Sequence, residues 1–143
     1  MCGIAGYVGV TENPSDCLTE MAKAINHRGP DNMGIWSDEK TAIGLAHARL
    51  SILDLSAAGN QPMHSASNNY VLVFNGEIYN HKKLRLELES ITRMDWSGHS
   101  DTETLLAAIE EWGHLIVDIA LATYRVPRLL SVCCYTTFVY PPD

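Results

Sequence analysis

The second residue of the chain carries the side chain with the most reactive chemistry. Cys2 stands directly after Met1 and before Gly3. Removal of Met1 would leave Cys2 with a free α-amino group, of ordinary pKa about 7.7–8, beside a thiol of pKa about 8.5. The neutral amine could take the thiol proton, so that one residue would supply both nucleophile and base. The alternative is an ordinary cysteine near a frayed terminus, and Met-Cys-Gly alone favours that alternative.

A second candidate is the dipeptide Asn75-Gly76, which directly follows the apolar run 69–74. The side-chain amide of Asn75 and the backbone N–H of Gly76 could both donate to a developing oxyanion. The same dipeptide is also typical of a tight turn, and without further context the turn is favoured.

Arg49 is the third candidate, because it interrupts the apolar stretch AHARLSIL. A guanidinium group can bind a carboxylate through two parallel hydrogen bonds, which lysine cannot do. The alternative is a solvated surface arginine, the usual state of this residue type. Both interpretations remain open at this level.

The elements that must position these residues are strands mixed with helices, which predicts an α+β domain with antiparallel sheets. The helices are recognised by apolar spacing and by cap residues, among them the capping box Ser100-x-x-Glu103. Strands are predicted over 3–10, 34–37, 41–50, 51–55 and 69–74. Helices are predicted from Ser15 or Asp16 to Ile25, from Asn80 with Leu84, Leu88 and Ile91 inward, and from Ser100 to Gly113 with Leu105, Ile109 and Trp112 inward.

The composition excludes several classes of protein. The chain of 143 residues has 10 Lys and Arg against 17 Asp and Glu, a formal net charge of −7. An acidic protein is repelled by nucleic acids and anionic membranes, so we expect neither as a partner. No apolar run of about 18 residues and no signal peptide are visible, so we expect a cytoplasmic protein. The four irregularly spaced cysteines predict neither a disulfide framework nor a zinc site.

The character of the chain changes after Gly113. All ten glycines lie at or before this residue, and the segment 114–143 contains none. The segment shows neither a helical period nor strand alternation, so no element is predicted there. We therefore divide the chain into residues 1–113 and an atypical tail, 114–143.

Six segments in order along the first part resemble one family. They are MCGIAG (1–6), HRGPD (27–31), AHARLSILDL (46–55), NQPM (60–63), FNGEIYNHKKLR (74–85) and HSDTETLL (99–106). The sequence resembles the class II, or N-terminal-nucleophile, glutamine amidotransferase domain, specifically the glutaminase half of asparagine synthetases. The resemblance implies a four-layer α/β/β/α sandwich of two antiparallel sheets. It also implies hydrolysis of glutamine to glutamate and ammonia, which would feed an ATP-dependent synthetase domain.

The resemblance also implies a role for each candidate residue. Cys2 would form a γ-glutamyl thioester, with Asn75 and Gly76 as the oxyanion hole. The glutamine substrate would be bound by the residues Arg49, Leu50, Glu77 and Asp101, and the loop 27–31 would close over it. Asp101 could instead only stabilise the start of its helix. No cofactor or metal is implied in this segment, since ATP and Mg²⁺ would belong to the synthetase domain.

The tail does not follow the family pattern. A complete domain would continue with further core strands, whereas 114–143 matches none of them. We therefore expect residues 1–113 to be a partial glutaminase domain, incomplete at the C-terminus and without a synthetase domain, the tail being typical of a frameshifted or truncated reading frame. The expected partners are glutamine and, in a full-length relative, the synthetase domain. The alternatives are an inactive truncated remnant and a small non-enzymatic binding module.

Overall fold

The structure, a computed structural model, describes residues 2–52, 55–113 and 132–140. Its strands are β1 (Gly3–Val8), β2 (Asn32–Asp38), β3 (Ile43–Arg49), β4 (Met63–His64), β5 (Val71–Ile78) and β6 (Val132–Tyr140). Its helices are α1 (Pro14–Ile25), α2 (His81–Ile91) and α3 (Asp101–Trp112). The strands form two three-stranded antiparallel sheets, in the orders β1-β3-β2 and β4-β5-β6. The predicted mixture of helices and antiparallel sheets is confirmed.

Helix α1 covers one face of the first sheet. Its buried residues Leu18 and Ala22 pack with Ala46 of β3, as the apolar spacing of the helix predicts. The helix begins at Pro14, and no side chain caps it. The predicted cap at Ser15 or Asp16 is therefore wrong. Proline suits the first helical position because its fixed φ is helical and its missing N–H would be unpaired there.

Strand β3 is buried on both faces, since successive side chains point to opposite sides of a sheet. Ala46 faces helix α1, whereas Leu45 packs against Val71 and Val73 of β5 in the second sheet. Strands β2 and β3, which correspond to the strands predicted over 34–37 and 41–50, form an antiparallel hairpin with Asp38 opposite Ile43. The first sheet therefore contacts both the helix and the second sheet.

Helices α2 and α3 pack on the second sheet. Leu72 and Phe74 of β5 share a buried cluster with Leu84 of α2 and with Leu105 and Ile109 of α3. The two residues expected inward at the helix ends do not join this core: Ile91 is 56% exposed and Trp112 is 36% exposed. Apolar periodicity therefore predicts too much burial in the last turn of each helix.

One of the two hydrogen bonds of the predicted capping box at the start of α3 is present. The Ser100 hydroxyl accepts the Glu103 backbone N–H at 3.1 Å. The Glu103 carboxylate, however, accepts the backbone N–H groups of Ser97 and Gly98 and not that of Ser100. It also forms a 2.9 Å ion pair with Arg85. The cap therefore ties the preceding loop to the helix start.

Two strand predictions need correction. Ser51, Ile52 and Leu55 of the predicted strand 51–55 are not in a strand, while Leu53 and Asp54 lie outside the described residues. The Ser51 N–H is bound by the Asp31 carboxylate at 2.7 Å and so is not available to a sheet. The other correction concerns β5, which continues through Asn75-Gly76 to Ile78.

The tail contributes a strand that the sequence analysis did not predict. Strand β6 pairs antiparallel with β5 along its whole length, from Val71 opposite Tyr140 to Ile78 opposite Val132. A strand whose only described partner is far along the chain leaves little local pattern to detect. None of the helices in the described part of the chain is long and apolar enough to cross a membrane.

Candidate active site

Cys2 lies immediately before β1, half-buried and without a disulfide partner. Its Sγ accepts the backbone N–H of Leu50 at 3.3 Å and lies 3.7 Å from the Leu50 carbonyl oxygen. The pairing of Gly3 with Ala48 brings these residues together, because β1 and β3 are antiparallel neighbours. The sulfur is thus held beside the end of β3, and it is not part of a frayed terminus. Met1 lies outside the described residues.

The HRGPD loop packs against both Cys2 and the end of β3. The Arg28 Nε donates to the Cys2 carbonyl oxygen at 3.2 Å, and the Asp31 N–H donates to the Arg49 carbonyl at 3.0 Å. Gly29 is buried against Ala48, where any Cβ would collide with the backbone carbonyl. The loop therefore shapes the surroundings of Cys2. Its predicted closure over a substrate stays a prediction.

Arg49 is buried, with only 7% of its surface exposed, so the alternative of a solvated arginine is wrong. Its Nη1 donates to the Ser56 carbonyl and to the Asn60 side-chain oxygen, both at 2.8 Å. Gly59 lies against the guanidinium, where a Cβ would collide with Nη2. The loop between β3 and β4 thus orients the arginine, which adjoins Leu50 and its contact to Cys2.

Asn75, Gly76 and Glu77 lie consecutively in β5, so the tight turn expected as an alternative is not formed. Asn75 is buried, Gly76 is half-buried and Glu77 is exposed. The register to β6 shifts between Asn75 and Gly76, which leaves one residue of β6 without an opposite partner. Such bulges locally increase the twist of a strand pair and are frequent next to active sites.

Asp101 starts α3 and is 5% exposed. Its Oδ2 accepts the backbone N–H of Ile78 at 2.9 Å, which fixes the carboxylate beside the end of β5. Its position in the first helical turn also favours the negative charge. The nearby His81 has a lowered pKa, mainly because of burial, while the negative charge of Asp101 opposes the shift.

The candidates form two groups on neighbouring strands. Cys2, Arg49 and Leu50 lie at the β1–β3 pair, whereas the second group consists of Asn75, Gly76, Glu77 and Asp101 at the end of β5. Strands β1 and β3 both contact β5, so the two sheets that carry these groups pack against each other. The described residues contain no cluster of His, Cys, Asp and Glu that could hold a metal ion.

His47 is the most isolated polar group near the site. It lies in β3 with 0% exposure, and neither ring nitrogen forms a well-directed hydrogen bond with the described residues. Desolvation lowers the pKa of His47 to about 4, with the Phe74 backbone opposing this shift and the Arg49 charge reinforcing it. The ring is therefore neutral near pH 7.

Sequence reasoning missed the residues that orient the candidates. Ser56 and Asn60 bind the arginine, and Gln61 binds the backbone of Phe74 at 2.6 Å. The only sequence signal was the NQPM segment at 60–63, which carried the family resemblance without a role. These residues act through hydrogen bonds to groups 7 to 13 positions away, which no local pattern encodes.

An antiparallel α+β fold that places a thiol just before β1, a buried arginine at the end of β3 and a buried carboxylate at the start of α3 defines a domain with the groups needed for thiol-dependent amide chemistry. The chain matches the family of the glutamine amidotransferase domain over residues 1–124 and belongs to that family. The family resemblance predicted from the six segments is thereby confirmed.

Several curated relatives are full-length proteins. Asparagine synthetase B [glutamine-hydrolyzing] of Escherichia coli is 37% identical over 82% of this chain and 21% of its own length. Asparagine synthetase [glutamine-hydrolyzing] 1 of Bacillus subtilis is 38% identical over 78% of this chain and 18% of its own length. Amidase chyE of Penicillium rubens is 33% identical over 92% of this chain and 22% of its own length. The chain thus spans about a fifth of the length of these relatives.

Proposed function

We propose that this chain hydrolyses glutamine to glutamate and ammonia through a thioester on Cys2. The observation that carries the proposal is the placement of the Cys2 sulfur, 3.3 Å from the backbone nitrogen of Leu50 and next to the buried Arg49. A nucleophile and a carboxylate-binding group in adjacent positions suit an amino acid that carries an amide in its side chain.

The proposed reaction begins when the Cys2 thiolate attacks the side-chain amide carbon of glutamine. The carbonyl oxygen becomes an oxyanion, which the Asn75 amide and the Gly76 N–H stabilise; one such donor is worth about 3–4 kcal/mol. The C–N bond then breaks, and the departing nitrogen takes a proton and leaves as ammonia. Water hydrolyses the thioester to glutamate and restores the thiol. Once Met1 is removed, the α-amine of Cys2 serves as the base.

Substrate binding is assigned to charged groups at each end of glutamine. Arg49 binds the α-carboxylate, and Asp101 with Glu77 binds the α-ammonium group. The Leu50 backbone adjoins both the thiol and the arginine, so it lies along the substrate. The hydrogen bonds to Ser56 and Asn60 support this assignment, because they hold the guanidinium in one orientation.

We further propose that the fold is the four-layer α/β/β/α sandwich. Three described interfaces support it: α1 against the first sheet, Leu45 against Val71 and Val73 between the sheets, and α2 with α3 against the second sheet. Because each sheet carries its helices on one face and the other sheet on the opposite face, the layers follow in that order.

The ammonia is proposed to serve an ATP-dependent synthetase domain, as the names of the asparagine synthetase relatives suggest. The glutaminase step itself uses only side-chain and backbone groups, so we propose no cofactor for this segment and assign ATP and Mg²⁺ to the synthetase domain. A free thiol nucleophile favours a reducing compartment, and we propose the cytoplasm.

The test is ammonia release from glutamine by the full chain and by two cysteine variants. Cys2→Ala should abolish turnover, whereas Cys17→Ala, which changes a half-buried thiol on α1, should retain it. Mass spectrometry of the wild-type chain with glutamine should detect loss of Met1 and an added glutamyl group on Cys2. Turnover that survives Cys2→Ala would sink the proposal, and glutamine binding without turnover would instead support a binding module.

A further inference from the structure

Gln61, in the NQPM segment, is a buried amide with no role in the proposed chemistry. It is 7% exposed, and both ends of its side chain are bound. Oε1 accepts the Phe74 backbone N–H at 2.6 Å, while Nε2 donates to the Thr102 hydroxyl at 3.3 Å. Its backbone is also enclosed, because Gly34 of β2 packs on the Gln61 carbonyl so closely that a Cβ would collide with it.

The side chain of Gln61 replaces a missing segment of strand. Strand β4 pairs Met63 with Leu72 and His64 with Val71, and among the described residues no backbone pairing continues along this edge of β5 beyond Leu72. If this antiparallel register continued, residue 61 would lie opposite Phe74, and the Phe74 N–H would be the next one on β5 to point towards β4. The Gln61 amide accepts that N–H and extends the ladder by one hydrogen bond.

The site residues of β5 lie between this bond and a second one. Backbone N–H groups of alternate residues point to the same edge of a strand, so Phe74, Gly76 and Ile78 share one edge. Gln61 binds Phe74 at one end, and the Asp101 carboxylate binds Ile78 at 2.9 Å at the other. Hydrogen bonds thus flank the segment 75–77 at both ends. The Gly76 N–H points to the same strand edge, between the bonds at Phe74 and Ile78.

Gln61 also connects the two hydrogen-bonded ends of this segment, Phe74 and Ile78. Thr102, which receives the Nε2–H bond, directly follows Asp101 in the first turn of α3 and is itself buried. One amide group therefore links the backbone before Asn75 to the helix start that carries Asp101. A change at Gln61 alters the oxyanion donors and the carboxylate relative to each other.

We propose that Gln61 is a positioning residue for glutamine hydrolysis, which sets the Asn75-Gly76 donors by holding β5 at Phe74. The inference rests on the proposed function, but it does not give Gln61 contact with the substrate. Because oxyanion contacts strengthen in the transition state, a displaced donor lowers kcat more than it changes KM.

The test uses variants that separate hydrogen bonding from packing. Gln61→Met keeps the length of the side chain and removes both bonds. Gln61→Glu keeps an acceptor for the Phe74 N–H but buries a negative charge. Asn69→Ala is the matched control, because it removes an exposed amide just before the same strand.

We expect Gln61→Met to lower kcat by about tenfold to a hundredfold with KM changed less than about threefold, as for a donor displaced by a fraction of an ångström. Gln61→Glu should recover part of the kcat, although the buried charge makes it the less stable variant. Asn69→Ala should match the wild type. If Gln61 has only a structural role, the less stable variant Gln61→Glu should have a lower kcat than Gln61→Met. That order of kcat values would overturn the proposal. A wild-type kcat in Gln61→Met would also overturn it.

Hydrogen exchange of the β5 amides separates this inference from the proposed function. Exchange at Phe74 should become at least tenfold faster in Gln61→Met than in the wild type and Asn69→Ala. Unchanged exchange would overturn the positioning role even if kcat fell. A wild-type chain that releases no ammonia would overturn the proposed function and the catalytic part of this inference, while faster exchange would still establish the hydrogen bond.

Discussion

At the scale of single residues, three polar groups at or beside the site are buried and bound. Arg49, Gln61 and Asp101 are each less than a tenth exposed, and each forms hydrogen bonds to backbone or side-chain groups. A buried polar group without a partner costs about 1–3 kcal/mol, so such bonding is the norm. His47 departs from it, since its ring nitrogens lack well-directed hydrogen bonds.

The burial of His47 predicts a dependence of stability on pH. Its pKa is about 4 in the folded chain and about 6.5 when unfolded, so the unfolded state binds more protons below pH 6.5. The stabilisation is complete above pH 6.5 and is lost as the pH falls towards 4. Between pH 7 and pH 5, His47 should lower the free energy of unfolding by about 2 kcal/mol, measured by urea denaturation.

Two substitutions identify the histidine responsible. His47→Leu should remove this part of the pH dependence and should not lower stability at pH 5, because it deletes a buried polar group whose ring nitrogens lack well-directed hydrogen bonds. His64→Leu alters an exposed histidine and should leave the pH dependence unchanged. An equal slope in His47→Leu and the wild type would contradict the assignment.

At the scale of elements, the loop between β3 and β4 orients Arg49 although it contains little regular structure. Its described residues include the 3₁₀ turn Ala57–Gly59, which is capped by the Ser56 hydroxyl, the acceptor of the Ala58 N–H at 3.2 Å. The residues at both ends of the turn bind Arg49. A short turn thereby fixes the orientation of a long side chain at the end of a strand.

The close approach of this turn predicts the effect of Gly59→Ala. The new methyl group must displace the Arg49 guanidinium, because its Cβ would collide with Nη2. A charged hydrogen bond is worth about 1.5–3 kcal/mol, so the KM for glutamine should rise roughly tenfold or more, with a smaller change in kcat. Steady-state kinetics of ammonia release measures both constants.

The control is Ala57→Ser in the same turn, where the side chain is exposed. It adds one atom away from the guanidinium and should leave KM unchanged. If Gly59→Ala also leaves KM unchanged, Arg49 does not bind the substrate in the proposed way.

At the scale of the whole molecule, β1 is an outer strand of the first sheet as the structure describes it. In the described part of the chain, β1 pairs with β3 alone, and Val8 at its end is 74% exposed. A largely apolar groove of about 190 Å³ runs beside the strand and is lined in part by Ile4, Tyr7 and Leu45. An unpaired strand edge next to apolar surface favours pairing between chains.

We therefore expect the 143-residue chain to self-associate as its concentration rises, and Val8→Lys to reduce the associated fraction. A charge on an edge strand opposes edge-to-edge pairing because the lysine would have to be desolvated. Sedimentation velocity over a range of concentrations measures the effect. Val10→Lys adds the same charge at a residue 97% exposed beyond the strand, and it should have less effect. Equal effects would mean that net charge, not the β1 edge, controls association.

The sequence alone determined the features that depend on neighbours along the chain. Apolar spacing predicted α1, α2 and α3, the Ser100 cap marked the start of α3, and the strands predicted over 34–37 and 41–50 correspond to β2 and β3. The six ordered segments identified the family, because residue types at fixed spacing can be recognised without any knowledge of tertiary contacts. The predicted site residues came from the same segments, and their roles in catalysis stay predictions.

Tertiary structure alone decided the features that depend on distant partners. The dipeptide Asn75-Gly76 became part of a strand because β6 pairs with β5 through Ile78, whereas local propensity favours a turn. Arg49 became buried because the turn before β4 returns to cover it. Gln61 gained its position because β4 ends short of Phe74. In each case the deciding energy comes from pairing or burial between separate elements or loops, which a pattern of neighbouring residues does not contain.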